Sequence, residues 1–205
     1  ALYQAALRPD TLLVCGMLAN NETGSLFPIP QLAAMAHEVG AFFLCDATQA
    51  VGKIKVDVAA LGVDLLACSA HKFYGPKGSG ALWMAKKAGL KPQALLHGGG
   101  QENGWRSGTL NVPGIVGMGA AAALSEKLIT AQMARQQRMQ VDFEAHLLQQ
   151  IPEITIQGKE ADRLPNTSNI WFRHAPAASL IKSLRNLALS TGSACSSHKA
   201  EPSHV

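Results

Sequence analysis

Apolar positions along this chain fall into short blocks, each closed by a polar or glycine-containing break. Residues 11–18, 42–45, 65–68 and 80–84 are nearly continuous apolar runs of strand length, the pattern expected of strands buried on both faces. Between the first two, residues 30–39 have helical character and stop at Gly40, a C-terminal helix signal. A short segment with Val58, Leu61 and Val63 leads into the third run. Strand and helix signals in alternation predict an α/β fold, a mostly parallel sheet flanked by helices. Beyond residue 95 the texture changes. Residues 97–109 form a Gly-rich loop, longer than plain connections usually are. From 112 to about 150 the pattern reads as one or two helices, Ala-rich first and Gln/Arg-rich later. Residues 154–156 and 168–172 read as strands and 178–187 as a helix. These elements predict a partial large domain over residues 1–125 and a smaller α+β unit over 126–205.

Two of the strand-like runs end on reactive chemistry. The run 65–68 passes through Ser69, Ala70 and His71 to Lys72, then breaks at Gly75 and Pro76; the run 42–45 ends on Asp46. Open α/β sheets bind ligands at the carboxyl ends of their strands, so Asp46 and Lys72 both fall where a cofactor would sit. An amine partly shielded from water loses some preference for its charged form and, when neutral, attacks an aldehyde. A carboxylate there keeps a pyridinium nitrogen protonated. Taken singly each residue has a plainer reading, Lys72 as a loop lysine and Asp46 as a turn or helix cap.

Composition narrows the classes. The 205 residues, 47% hydrophobic and 16% charged, suit a globular chain. The net charge of +4 comes without a Lys/Arg run, so no dedicated nucleic-acid surface is expected. The glycines near 75–80 and 98–100 do not match GxxxxGK[ST], which argues against a nucleotide triphosphatase. Four cysteines form no CxxC pair and no zinc-spaced cluster. Cys15, Cys45 and Cys68 lie in apolar runs and read as small buried hydrophobes. Cys195, among Gly192, Ser193, Ala194 and Ser196, reads as an exposed, mobile thiol suited to a reducing cytosol. No signal peptide, and no apolar run long enough to span a bilayer, is expected.

Five segments taken together carry a resemblance: residues 19–24, 46–49, 69–78, 97–109 and 191–195. In this order they resemble the cysteine desulfurases of the class V, fold type I family, which depend on pyridoxal 5'-phosphate (PLP). The resemblance implies a role for each candidate. Lys72 would hold PLP covalently and later move the substrate's α-proton, while Asp46 would pair with the ring nitrogen. Gln49 would hydrogen-bond the ring's phenolic oxygen, with Asn21 beside that oxygen and the substrate. Ser69 and His71 would bind the cofactor phosphate, and Thr109 would reach the phosphate of the other subunit of a homodimer. Cys195 would accept sulfur from L-cysteine as a persulfide, releasing L-alanine, for onward transfer to an acceptor such as an iron–sulfur scaffold protein in the cytoplasm. Singly, Asn21, Gln49 and Ser69 are ordinary turn formers, and Thr109 is a candidate helix cap. A selenocysteine lyase or another class V enzyme shares the lysine–aspartate pair without needing the thiol. Members are much longer than this chain. Their upstream phosphate turn, a ring-stacking histidine and an arginine after the cysteine have no counterpart here, so the resemblance implies a fragment, inactive on its own.

Overall fold

The first four apolar blocks become strands, as their length and composition require. The computed structural model describes residues 2–86, 89–90, 92–193 and 205. The chain separates into two units, Ala1–Leu18 with Pro28–Leu128, and Ala19–Phe27 with Ile129–Val205. The first contains α1 (Leu2–Ala6), β1 (Leu13–Met17), α2 (Ile29–Glu38), β2 (Phe42–Asp46), α3 (Val58–Leu61), β3 (Leu65–Ser69) and β4 (Gly80–Met84). The strands lie in the order β1-β2-β3-β4. β1, β2 and β3 run parallel, and β4 folds back antiparallel on β3. The sheet is thus mostly parallel, as the pattern predicts.

β2 sits inside the sheet, and its apolar run is the most deeply covered, with Phe43 and Cys45 fully buried. α2 begins among Pro28 and Pro30, residues that suit a helix start, and stops before Gly40 at φ +78°. It buries Ile29, Ala33 and Ala36, one face at helical spacing, against β1 and β2. The Asp57 carboxylate accepts hydrogen bonds from the N–H groups of Ala59 and Ala60 at 2.8 and 3.3 Å, and Gly62 at φ +65° closes α3 one turn later. These caps set the short path by which the chain returns to start β3.

β1 departs from the expectation of a buried strand. Among the described residues only β2 pairs with it, Leu12 and Leu13 are exposed, and Cys15 is exposed as well. Burial of an apolar strand depends on what lies beside it, and an edge strand lacks one neighbour. Of the three described thiols only Cys45 is buried; Cys68 is half-buried.

Residues 112–150 form a single helix, α4 (Val112–Gln150). Asn111 caps it, its side-chain oxygen accepting the Gly114 N–H at 3.2 Å. By length and composition α4 is apolar enough to cross a bilayer, with an 18-residue window of mean hydropathy 1.3 that is 6% buried. This overturns the expectation that no run reaches that length. Alanine and glycine, small and weakly apolar, hid the run in the sequence. The division between the units falls within α4, after Leu128.

In the second unit β5 (Ile154–Ile156) pairs antiparallel with β6 (Ile170–Phe172), and α5 (Ala177–Ser183) follows. α5 ends earlier than the predicted 187 because Leu184 leaves the helical region at ψ 58°. Polar groups tie α4 to this sheet. Gln140 donates to the carbonyls of Leu164, at 3.1 Å, and Thr167. Glu144 accepts two bonds from Arg163 at 2.8 Å and one from the Ser168 hydroxyl at 2.7 Å. Both ion-pair side chains are 10% exposed. Burial raises the Glu144 pKa, but hydrogen bonds from Arg163 and Ser168 outweigh it and leave the carboxyl below its usual range. The same bond to Glu144, against desolvation, holds the guanidinium above its usual value.

Candidate functional site

Three parallel strands end side by side. Met17, Asp46 and Ala67 are register partners across β1, β2 and β3, so Asp46 closes β2 at the same edge where Ser69 closes β3. This is the edge at which open α/β sheets take ligands. Asp46 is exposed. Its Oδ1 accepts the Thr48 N–H at 2.9 Å, so the plain turn-capping reading is true of one oxygen. Among the described residues no cation pairs with this carboxylate.

After Asp46 the chain winds through overlapping turns. The N–H groups of Ala50 and Val51 reach the Ala47 carbonyl at 2.9 and 3.0 Å, and those of Lys53 and Ile54 reach the Ala50 carbonyl at 3.0 Å each. In such a winding, residues four apart share a side. Lys53 Nζ accordingly donates to Gln49 Oε1 at 2.9 Å, and both residues are half-buried.

β3 runs into a single 3-10 turn over Ala70–Phe73. The Ser69 hydroxyl and His71 Nδ1 lie 2.8 Å apart, so the two side chains form one polar pair at the strand end. Lys72 is half-buried, and its amine has no hydrogen-bond or ion-pair partner among the described residues. The turn is held by the Ala70 N–H on the Ser79 carbonyl at 3.0 Å and the Gly75 N–H on the Ala70 carbonyl at 2.9 Å. It closes on Tyr74 at φ +68°, a left-handed conformation costing a non-glycine residue on the order of 1 kcal/mol. Strain of that kind persists only where surrounding structure over-determines it.

The two turns meet at Gly52. It adopts φ +76°, and a Cβ there would lie 2.5 Å from the Cβ of Phe73, which is 1% exposed. Glycine is required for both reasons, and through this contact the winding that bears Gln49 and Lys53 packs on the turn that bears Lys72. Electrostatics register the same neighbourhood. Burial, and then the charge of Lys72, lower the Lys53 pKa. Burial, and then the charge of Asp46, push the Cys45 thiol up to about 11. Cys68 is raised too, by burial first, with Asp46 adding to it against a hydrogen bond from the Ala81 backbone.

Asp46, Gln49, Ser69, His71 and Lys72 thus share one edge of the first unit's sheet. Thr109 and Asn21 sit on other segments. Thr109 is exposed after a loop closed on itself by Ser107 N–H to the Leu96 carbonyl at 3.1 Å and Gly108 N–H to Gln101 Oε1 at 2.9 Å. Asn21 is an exposed turn residue of the second unit. The buried side chain ordering that turn is Asn20, whose Oδ1 accepts the N–H groups of Glu22 and Thr23 at 2.8 and 2.9 Å. Cys195 lies outside the described residues. Lys53 was absent from the candidates; its spacing of four from Gln49 amid Val51, Ile54 and Val56 was the available signal. Among the described residues no His, Cys, Asp and Glu cluster is arranged for a metal ion.

Comparison with known proteins bears on this arrangement. The family description "Aminotransferase class-V" matches residues 1–205. Cysteine desulfurase IscS of Anaeromyxobacter dehalogenans (strain 2CP-C) is 46% identical over 205 residues, covering 100% of this chain and 51% of the relative. The X-ray structure of a NifS-like protein from Rickettsia africae ESF-5 superposes with a TM-score of 0.85 at 32% identity, over 93% of this chain and 52% of that one. SspA, solved in complex with cysteine, superposes with a TM-score of 0.76 at 32% identity, over 95% of this chain and 53% of its own. The chain spans about half the length of the curated relatives it matches.

Proposed function

The chain belongs to the aminotransferase class-V family, and from that premise we propose that it is the PLP-handling portion of a cysteine desulfurase. The observation that carries this reading is half-buried Lys72, its amine without a partner among the described residues, at the same sheet edge as the Asp46 carboxylate. The chemistry of the donor set suits PLP. Lys72 offers an uncommitted amine to an aldehyde, Asp46 keeps an oxygen free to accept a ring N–H, Gln49 has an amide group to place against a phenolic oxygen, and Ser69 with His71 offers polar hydrogens to a phosphate. When bound, PLP supplies an electron sink for bonds at the amino acid's α- and β-carbons. Asn21 and Thr109 belong to the proposed set through the family motif, Thr109 toward the phosphate bound by a second subunit.

The reaction converts L-cysteine to L-alanine. Lys72 moves the α-proton. The Cys195 thiolate attacks the substrate sulfur, the carbon–sulfur bond breaks as the sulfur–sulfur bond forms, and the β-carbon regains a proton. Sulfur leaves on the enzyme as a persulfide, for a protein acceptor such as an iron–sulfur scaffold. The complex of SspA with cysteine supports the substrate. A homodimer enters the proposal through the family motif that carries Thr109. The free thiols of Cys15, Cys45 and Cys68 accord with the cytoplasm.

The test supplies the protein, produced at the full length of its relatives, with PLP and L-cysteine, and follows alanine, persulfide and the borohydride-stable PLP adduct. Lys72→Ala is expected to lose the adduct and all alanine formation, and Cys195→Ala to keep the adduct while losing persulfide. Cysteine turnover that survives Lys72→Ala would sink the assignment.

A further inference from the structure

We propose that Lys53 is a positioning residue that fixes the polarity of the Gln49 amide, holding its oxygen so that its NH2 group is left to donate to the phenolic oxygen of the PLP ring. The role rests on the cofactor reading above and adds to it a residue whose work is done through another.

The two ends of a glutamine amide are nearly alike in shape and opposite in function. An amide free to turn presents lone pairs as readily as hydrogens. An ammonium group carries three donors and no acceptor, so only Oε1 can face it, and Lys53 Nζ lies 2.9 Å from that atom. The bond is charge-assisted and stronger than a neutral one. With Oε1 engaged, both hydrogens of Nε2 are available. The phenolic oxygen of a pyridoxal ring is an acceptor; against a reversed amide it would meet lone pairs.

Lys53 also stays where its charge is disfavoured. It is half-buried, and both desolvation and the neighbouring Lys72 charge oppose its ionised form. Lysine has a flexible four-carbon stem, and one with no inward task would carry its head to water. Its backbone is not free to follow: the Lys53 N–H is bonded to Ala50 at 3.0 Å, and Gly52 beside it is pressed on Phe73. The inward ammonium is therefore aimed by the turn itself.

The experiment is a set of PLP titrations, read by the visible band and fluorescence of bound cofactor, on the protein and on Lys53→Met, Lys53→Arg, Gln49→Ala and the double variant Lys53→Met/Gln49→Ala. Thermal unfolding without PLP is measured alongside. Lys53→Met is expected to weaken PLP binding about tenfold, the scale of one charge-assisted hydrogen bond, and to shift the visible band. Lys53→Arg is expected to restore most of the affinity. In the Gln49→Ala background, Lys53→Met should change nothing further, and its melting temperature should not fall, since it removes a disfavoured charge. If PLP is captured and Lys53→Met binds it normally, the role is overturned. It is overturned equally if the loss is as large without Gln49, or if it comes with a lowered melting temperature that Lys53→Arg does not recover. A protein that captures no PLP on Lys72 overturns the cofactor reading itself, and this role with it.

Discussion

Replacing Gly52 by alanine tests the contact that joins the two turns of the candidate site. At φ +76° an L-residue with a Cβ loses roughly 1 kcal/mol. The added methyl would sit 2.5 Å from Phe73 Cβ, about 1 Å inside ordinary contact, and 3.2 Å from Ser125 Oγ, only a few tenths inside it. Phe73 Cβ is attached directly to its backbone and the side chain is 1% exposed, so relief requires the 70–73 turn to move. Overpacking of this kind costs about 1–3 kcal/mol. Alanine also restricts the unfolded chain, which returns about 0.5 kcal/mol. The expected net loss is about 1.5–3.5 kcal/mol, read by equilibrium unfolding in urea. Gly62→Ala is the control: φ is +65° but no atom lies within 4 Å of the new Cβ, so it should lose about 1 kcal/mol or less. Because Lys72 sits on the turn that must shift, Gly52→Ala should also reduce borohydride-trapped PLP, and Gly62→Ala should not. Equal losses for the two variants would refute the argument that close approach, rather than backbone conformation, demands glycine at 52.

Glu144→Ala should lower stability by about 3 kcal/mol, because it strands the Arg163 guanidinium, 10% exposed, without its counter-charge; a loss under about 1 kcal/mol would show that the pair is effectively solvated. Since the folded Glu144 carboxyl is held below its usual range, its contribution is fully present above the unfolded value near ~4.3 and is lost as pH falls from there through the depressed folded value. Glu144→Gln should therefore flatten the acid limb of the stability profile, and an unchanged limb would contradict the pairing. In the native protein near neutral pH, iodoacetamide should label exposed Cys15, while Cys45, fully buried with its thiol pushed up to about 11, should react only on unfolding. Equal rates at the two would place β2 outside the core.

The placement of the candidate residues at the strand ends was legible because it is local. An apolar run that stops on Asp46, and another that stops on Ser69, His71 and Lys72, state in a few consecutive residues where a strand surfaces and what it carries. The helix of residues 30–39 was legible for the same reason, through its prolines and Gly40. Other features depend on which segments become neighbours, and no stretch of sequence states that alone. Cys15 lies in as apolar a run as Cys45, yet one is open and the other sealed, because among the described strands β1 has a single neighbour and β2 has two. Lys53 is an unremarkable lysine until the turns after β2 put it on Gln49 and Gly52 packs against Phe73. Glu144 and Arg163 sit in unrelated segments and find each other only once α4 lies against the loop before β6. Side-chain type and order set the strands and their reactive ends; burial, pairing and the direction a charged group must face arose from packing, because each is a property of two surfaces in contact.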